Sequence, residues 1–74
     1  MFKVGDMVTP SSKVKNYHWW PSYKYLWGME FMVIKVEKGV SISENIVHFH
    51  DPRHGTRKWR ASSFNLVSFS LENE

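Results

Sequence analysis

Cysteine is absent from this chain, and no apolar stretch is longer than a few residues. Without cysteine, neither a disulfide nor a cysteine-ligated zinc ion can stabilise the fold. A helix that crosses a bilayer needs about 20 apolar residues, so we expect no transmembrane segment and no membrane partner. The opening residues MFKVGD also lack the apolar core of a signal peptide. We therefore expect a cytoplasmic protein.

The small size of the chain limits what it can do. It has 74 residues, and a domain of this length buries only about 60% of the surface that its unfolded form exposes. We predict one domain over residues 1–70 and a polar tail over 71–74. A catalytic pocket with several positioned groups needs more scaffold than this, so we expect a non-enzymatic protein without a small-molecule cofactor.

Short segments rich in β-branched and aromatic residues recur along the chain, with turn residues between them. No α-helix is predicted, and the pattern favours a small all-β barrel or sandwich. Within the second segment, the alternation of apolar residues changes phase between Val33 and Ile34, which indicates a bulge or a bent strand that serves two faces. The predicted strands lie near 6–9, 29–37, 40–49, 56–61 and 66–69, with turns at Gly5-Asp6, at Lys38-Gly39 and over 51–55.

The apolar positions of these strands define an expected core. Its members are Val8, Phe31, Val33, Ile34, Val36, Ile46, Val47, Leu66 and Val67.

The connection over residues 10–28 is unusually long and aromatic. Six of the eleven residues from Tyr17 to Trp27 are aromatic, and Pro21 opposes a helix that runs through Trp20. We predict a partly ordered loop, and loops of this length usually carry function. Near the other end of the chain, residues 62–65 are too few for an α-helix and predict a single 3₁₀ turn before the last strand.

Three segments resemble a known fold. They are Val4-Gly5-Asp6-Met7-Val8, the run from Phe31 to Val36, and the run from Trp59 to Val67. Together they are similar to the SH3-like small-barrel superfold, in the branch that includes KOW and Tudor modules. The resemblance implies an all-β protein, a five-stranded antiparallel barrel with a long first loop and a 3₁₀ turn before the last strand. Barrels of this kind bind RNA, DNA, peptides or methylated lysine, so the resemblance does not choose a ligand.

The charge distribution favours a polyanionic partner. The chain carries ten Lys and Arg against seven Asp and Glu. Seven of the ten basic residues lie in two stretches without any acidic residue, 7–29 and 52–71. Phosphates attract cations, and unpaired bases stack on aromatic rings, so we predict a module that binds nucleic acid, preferably RNA or another single strand. The expected binding residues are Lys13, Lys15, Trp19, Trp20, Lys24, Arg57, Lys58, Trp59 and Arg60.

A protein partner is the alternative, because tryptophan, tyrosine and arginine are also enriched at interface hot spots. Such a module would dock on a larger machine such as a polymerase or a ribosome, and a small phage accessory protein would fit this size and composition. A third hypothesis is an aromatic cage for a methylated cation. Its candidate residues are Tyr23, Tyr25, Trp27 and Trp59.

Histidines form the one pattern that resembles a metal site. His48, His50, Asp51 and His54 have the spacing H-x-H-D-x2-H, and residues two apart on a strand share a face, so two imidazoles could ligate zinc. The spacing is not that of a structural zinc site. We favour the interpretation that His48 and His50 face solvent while Phe49 fills the core, and we predict no bound metal.

Overall fold

A computed structural model describes residues 2–68, which form six short strands and four 3₁₀-helices. The strands are β1 (Met7–Pro10), β2 (Phe31–Met32), β3 (Lys35–Glu37), β4 (Ile46–Asp51), β5 (Gly55–Arg60) and β6 (Phe64–Ser68). The 3₁₀-helices are η1 (Ser12–Asn16), η2 (Trp20–Leu26), η3 (Ile42–Glu44) and η4 (Ala61–Ser63). The predicted polar tail over 71–74 and the end of the last predicted strand at Phe69 lie outside the described residues.

The strands form two three-stranded antiparallel sheets, in the orders β2-β1-β6 and β3-β4-β5. The predicted all-β class is confirmed, but the predicted count of five strands is wrong because the segment 29–37 is divided between the sheets. The ladders of the described strands also do not close into a barrel. The N–H of Val33 donates to the carbonyl of Asp6 at 2.8 Å, whereas the N–H of Ile34 donates to the carbonyl of His48 at 3.0 Å. The phase change therefore marks the corner where the chain passes from one sheet to the other, which confirms the predicted bend.

The predicted third strand begins later than expected. Residues 40–45 are not part of it, and Lys38-Gly39 is not a hairpin turn, because the connection between β3 and β4 runs over 38–45 and contains η3. Asn45 closes this connection. Its side-chain oxygen accepts a 2.8 Å hydrogen bond from the N–H of Gly39, and its carbonyl accepts one of 2.7 Å from Ala61. The single 3₁₀ turn expected at 62–65 is present as η4, one residue earlier.

Four of the nine predicted core residues are buried, namely Val8, Phe31, Val33 and Val47. Val36 and Ile46 are half-buried. The remaining three predictions are wrong. Ile34 follows the corner and is 44% exposed, and Leu66 and Val67 are exposed on β6, which pairs only with β1 in the described chain. The full set of buried hydrophobic residues is Val8, Val14, Trp20, Leu26, Phe31, Val33, Val47, Phe49, Ala61 and Phe64.

The long connection supplies part of this core. Val14 from η1, and Trp20 and Leu26 from η2, are buried with the strand residues. Pro21 lies in the first turn of η2, where a missing N–H is tolerated because no helical hydrogen bond would use it. The segment 10–28 is therefore folded onto the sheets rather than only partly ordered. No helix among residues 2–68 is long and apolar enough to cross a membrane.

Candidate functional site

A surface groove of about 370 Å³ lies where the long connection meets β5. Among residues 2–68, no acidic side chain lines it, and we call it the aromatic groove. Its lining residues are Tyr17, Trp19, Tyr23, Arg57, Trp59, Arg60 and Ser63.

The rings of the aromatic groove hold one another in place. Trp19 stacks on Tyr17 with centroids 5.1 Å apart, and it meets Trp59 at 5.0 Å. Trp59 is in turn anchored on the core, because its ring contacts Phe49 at 4.9 Å and Phe64 at 5.5 Å. Both tryptophans remain half-buried. The groove thus presents two partly exposed tryptophans that are packed against each other and against the core.

Successive side chains of a strand point to opposite faces, so the neighbouring basic residues of β5 differ in burial. Arg57 and Trp59 are half-buried, whereas Lys58 is exposed on the opposite face. The guanidinium of Arg57 lies 4.7 Å from the ring centroid of Tyr23, and its Nε donates to Asp51 at 3.2 Å. Arg60 is exposed at the end of the strand, with no acidic partner in the described part of the chain. Arg60 therefore carries the least compensated positive charge at the groove.

A buried carboxylate supports the groove from below. Asp51 is fully buried and accepts hydrogen bonds from the Tyr25 hydroxyl at 2.7 Å, from the N–H of Arg53 at 2.8 Å and from Arg57. Burial alone would raise the pKa of this carboxyl, but the hydrogen bonds outweigh it and hold the pKa below its usual value. Burial and the bond to Asp51 raise the pKa of Tyr25 to about 12.

A second depression, of about 450 Å³, is lined by Lys15, Trp20, Lys24 and Trp27. We call it the Trp27 patch. Trp27 is 45% exposed, which makes it the most exposed tryptophan of the chain, and the ammonium of Lys15 lies 4.1 Å from its ring centroid. In the part of the chain that the structure describes, no acidic side chain lines this patch either. The patch therefore combines an exposed indole, with Lys15 over its ring, and a second lysine, Lys24.

The predicted nucleic-acid-binding residues do not line a single depression. Trp19, Arg57, Trp59 and Arg60 line the aromatic groove, and Lys15, Trp20 and Lys24 line the Trp27 patch. The remaining two residues lie elsewhere: Lys58 is on the outer face of β5, opposite His48 in the ladder, and Lys13 lies beside Ile42 and Ser62.

Trp20 cannot stack on a base as predicted, because it is 5% exposed and packs inside the protein. The exposed indole in the depression that Trp20 lines belongs instead to Trp27, a candidate only for the aromatic cage. Leu26 is buried immediately before it. In the sequence, Trp27 stands between the core residue Leu26 and Gly28, which has a positive φ, and this position was the signal for an exposed ring.

The aromatic cage is not assembled in the described residues. Tyr23 and Tyr25 already hold Arg57 and Arg53 over their rings, at 4.7 and 4.2 Å. Tyr23 and Trp59 line the aromatic groove, whereas Trp27 lines the other depression. The four rings therefore do not surround a shared site for a methylated cation.

The histidine pattern is explained by the alternation of β4. Phe49 and Asp51 are buried, while His48 is half-buried and His50 is exposed between them. His48 is 2.6 Å from a carboxylate oxygen of Glu37, and this hydrogen bond lowers the pKa of Glu37. Across residues 2–68, no three His, Asp or Glu side chains are grouped as a metal site. The expected absence of a bound metal remains a prediction.

Comparison with protein-family models, with curated proteins and with solved structures returns no match to this chain. The function is therefore inferred from the geometry and charge of its own surface.

Proposed function

We propose that this protein is a non-enzymatic module that binds single-stranded nucleic acid, RNA or DNA, at the aromatic groove. The observation that carries the proposal is that the half-buried rings of Trp19 and Trp59 lie beside Arg60, which has no acidic partner among residues 2–68, in a groove that no described acidic side chain lines. An unpaired base would stack on the rings, and Arg60 would hold the neighbouring phosphate. A duplex hides its base faces, so the groove favours a single strand.

We also propose that the fold is an SH3-like barrel, in which β2 and β3 are the two halves of one bent strand. Three features support this. The strands that flank the corner belong to different sheets, the long first connection packs on the core, and η4 directly precedes the last strand. In such an arrangement the aromatic groove lies between the first loop and the 3₁₀ turn.

The basic residues divide into structural and binding roles. Arg57 is tied to buried Asp51, so its removal would disturb the fold as well as any ligand. Arg60 is exposed and is the better test of phosphate contact. Lys35 on β3 is also exposed but lines neither depression, which makes Lys35→Ala a control that removes the same charge from another surface.

The test is a fluorescence titration of the four tryptophans with short single-stranded RNA and DNA at 50 and 200 mM salt. We expect quenching, and affinity that falls steeply with salt. Arg60→Ala should weaken binding to all sequences and reduce the salt slope by about 0.7, while Lys35→Ala should have a smaller effect. Trp19→Ala should cost about 1–3 kcal/mol of binding with little change in slope. No binding at 50 mM salt would overturn the proposal.

A protein-docking function is the second candidate, and one observation favours it. Val40 and Ile42, in the connection between β3 and β4, are 95% and 63% exposed. With Phe2 and Val4 they line a hydrophobic depression of about 570 Å³. Exposed apolar clusters are typical of protein contacts. Binding of this kind would resist salt and nuclease, and it would be lost in Ile42→Ser but retained in Arg60→Ala, as a pull-down from native lysate with and without nuclease would show.

A further inference from the structure

The Trp27 patch and the aromatic groove are linked by one buried ring. Trp20 lies edge-on to Trp19 of the groove, with centroids 6.3 Å apart, and edge-on to Trp27 of the patch, at 6.0 Å. Trp19 and Trp27 therefore lie within about 12 Å of each other. At ~3.4 Å per nucleotide, the spacing along one strand of a stacked duplex, about three to four nucleotides cover this span. One short strand can reach both depressions.

The chemistry of the two depressions is the same. Each has a partly exposed aromatic ring, at least one exposed basic side chain and, among the described residues, no acidic lining side chain. In the patch, the ring is Trp27 and the cations are Lys15 and Lys24. Stacking and phosphate contact act together in proteins that track a single strand.

We propose that the Trp27 patch is a second subsite for the same strand, so that the full ligand is a single-stranded run of at least about four nucleotides. The inference rests on the proposed function of the aromatic groove. A base stacks on Trp27, and Lys24 holds a flanking phosphate. Lys15 lies over the indole, but it is exposed, so its side chain can leave the ring and contact a second phosphate as the base arrives.

A purely structural role for the patch makes a different prediction. An exposed lysine over tryptophan contributes about 0.5–1 kcal/mol to stability, and in that case neither residue would influence ligand binding. The two possibilities are separated by variants of the patch, because only a second subsite makes Trp27, Lys15 and Lys24 contribute to the affinity for the longer ligands.

The experiment measures the affinity of the full chain for oligouridylates of two, four and eight nucleotides by tryptophan fluorescence. For the unmodified protein, affinity should rise by at least tenfold from two to eight nucleotides. Trp27→Ala should leave the dinucleotide affinity unchanged and weaken the eight-nucleotide complex by about fivefold to 150-fold, the equivalent of one lost base stack. Met32→Ala removes an exposed apolar side chain outside both depressions and should leave every affinity unchanged.

A second variant tests the subsite through its positive charge and leaves every tryptophan in place. Lys15→Gln with Lys24→Gln should reduce the salt slope for the eight-nucleotide ligand by about 1.4, and should not change the slope for the dinucleotide. If oligouridylates bind but both variants behave like the unmodified protein at every length, the second subsite is overturned and the groove proposal stands. If no oligouridylate binds at 50 mM salt, the groove proposal itself fails.

Discussion

The hydroxyl of Tyr25 donates a 2.7 Å hydrogen bond to Oδ2 of Asp51, and this bond joins the long first connection to the hairpin of β4 and β5. The same carboxylate holds Arg57, a lining residue of the aromatic groove. One wall of the groove comes from the connection and the other from β5. Both segments are thus hydrogen-bonded to the buried carboxylate of Asp51.

Removing the hydrogen bond between Tyr25 and Asp51 should weaken the attachment of residues 10–28 to the sheets. Tyr25→Phe deletes the donor and leaves the buried carboxylate with one hydrogen bond fewer, so the urea midpoint of unfolding should fall. Tyr17→Phe is the matched control, because in residues 2–68 the Tyr17 hydroxyl has no hydrogen bond. Equal midpoints for the two variants would contradict the role assigned to the Tyr25 bond.

The stability of the protein should depend on the charge of Asp51. Its pKa in the folded protein lies below the unfolded value, which is about 3.9. The stabilisation is therefore fully present above pH 4 and is lost as the pH falls through the folded pKa. Asp51→Asn should lower the free energy of unfolding at neutral pH, and its difference from the unmodified protein should shrink below pH 4.

Glu44→Gln provides the control for this measurement, since Glu44 is an exposed carboxylate on η3. Urea unfolding of the three proteins between pH 2.5 and 7 gives the comparison. A difference between Asp51→Asn and the unmodified protein that stays constant over this range would show that the carboxylate is not the stabilising form.

The sheet corner offers a comparison of two neighbouring residues. Val33 is fully buried and Ile34 is 44% exposed. Val33→Ala should lower the free energy of unfolding by about 1–3 kcal/mol, through lost burial and the cavity left behind, and Ile34→Ala should lower it by less. Thermal unfolding followed by circular dichroism measures both. An unchanged melting temperature for Val33→Ala would mean that the corner is misplaced.

Gly39 lies where a side chain has no room. A Cβ atom at this position would collide with the backbone carbonyl of Glu44, on the far side of the connection that Asn45 closes. Because the obstacle is backbone, it cannot rotate away, and Gly39→Ala should cost about 1–3 kcal/mol of stability. Val40→Ala, at the most exposed apolar position, should be nearly neutral in the same urea experiment.

The histidines of β4 should not retain zinc. His48 bonds Glu37, and Asp51 lies on the buried side of the strand. Elemental analysis of protein purified without chelator should give well under one zinc per chain. A full equivalent that disappears in His48→Ala and in His50→Ala would contradict this expectation.

Local preferences were enough to predict most strands and the sheet corner. The β-branched residues and the phase change at Val33 and Ile34 reflect nearest-neighbour geometry, which is readable along the chain. The turn at Gly5-Asp6 is of the same kind: Gly5 has φ of +94°, and Asp6 bonds back to Lys3. The short 3₁₀ turn before the last strand was also within reach of local reasoning.

The long connection and the binding surface depended on contacts between distant parts of the chain. A run of aromatic residues does not reveal which rings enter the core, and here Trp20 is buried whereas Trp27 is open. Likewise, acid-free stretches do not reveal that buried Asp51 partly neutralises Arg57, or that Lys58 lies on the outer face. Burial and ion pairing depend on three-dimensional neighbours, so only the folding of residues 10–28 onto β5 divides the basic and aromatic residues between groove and patch.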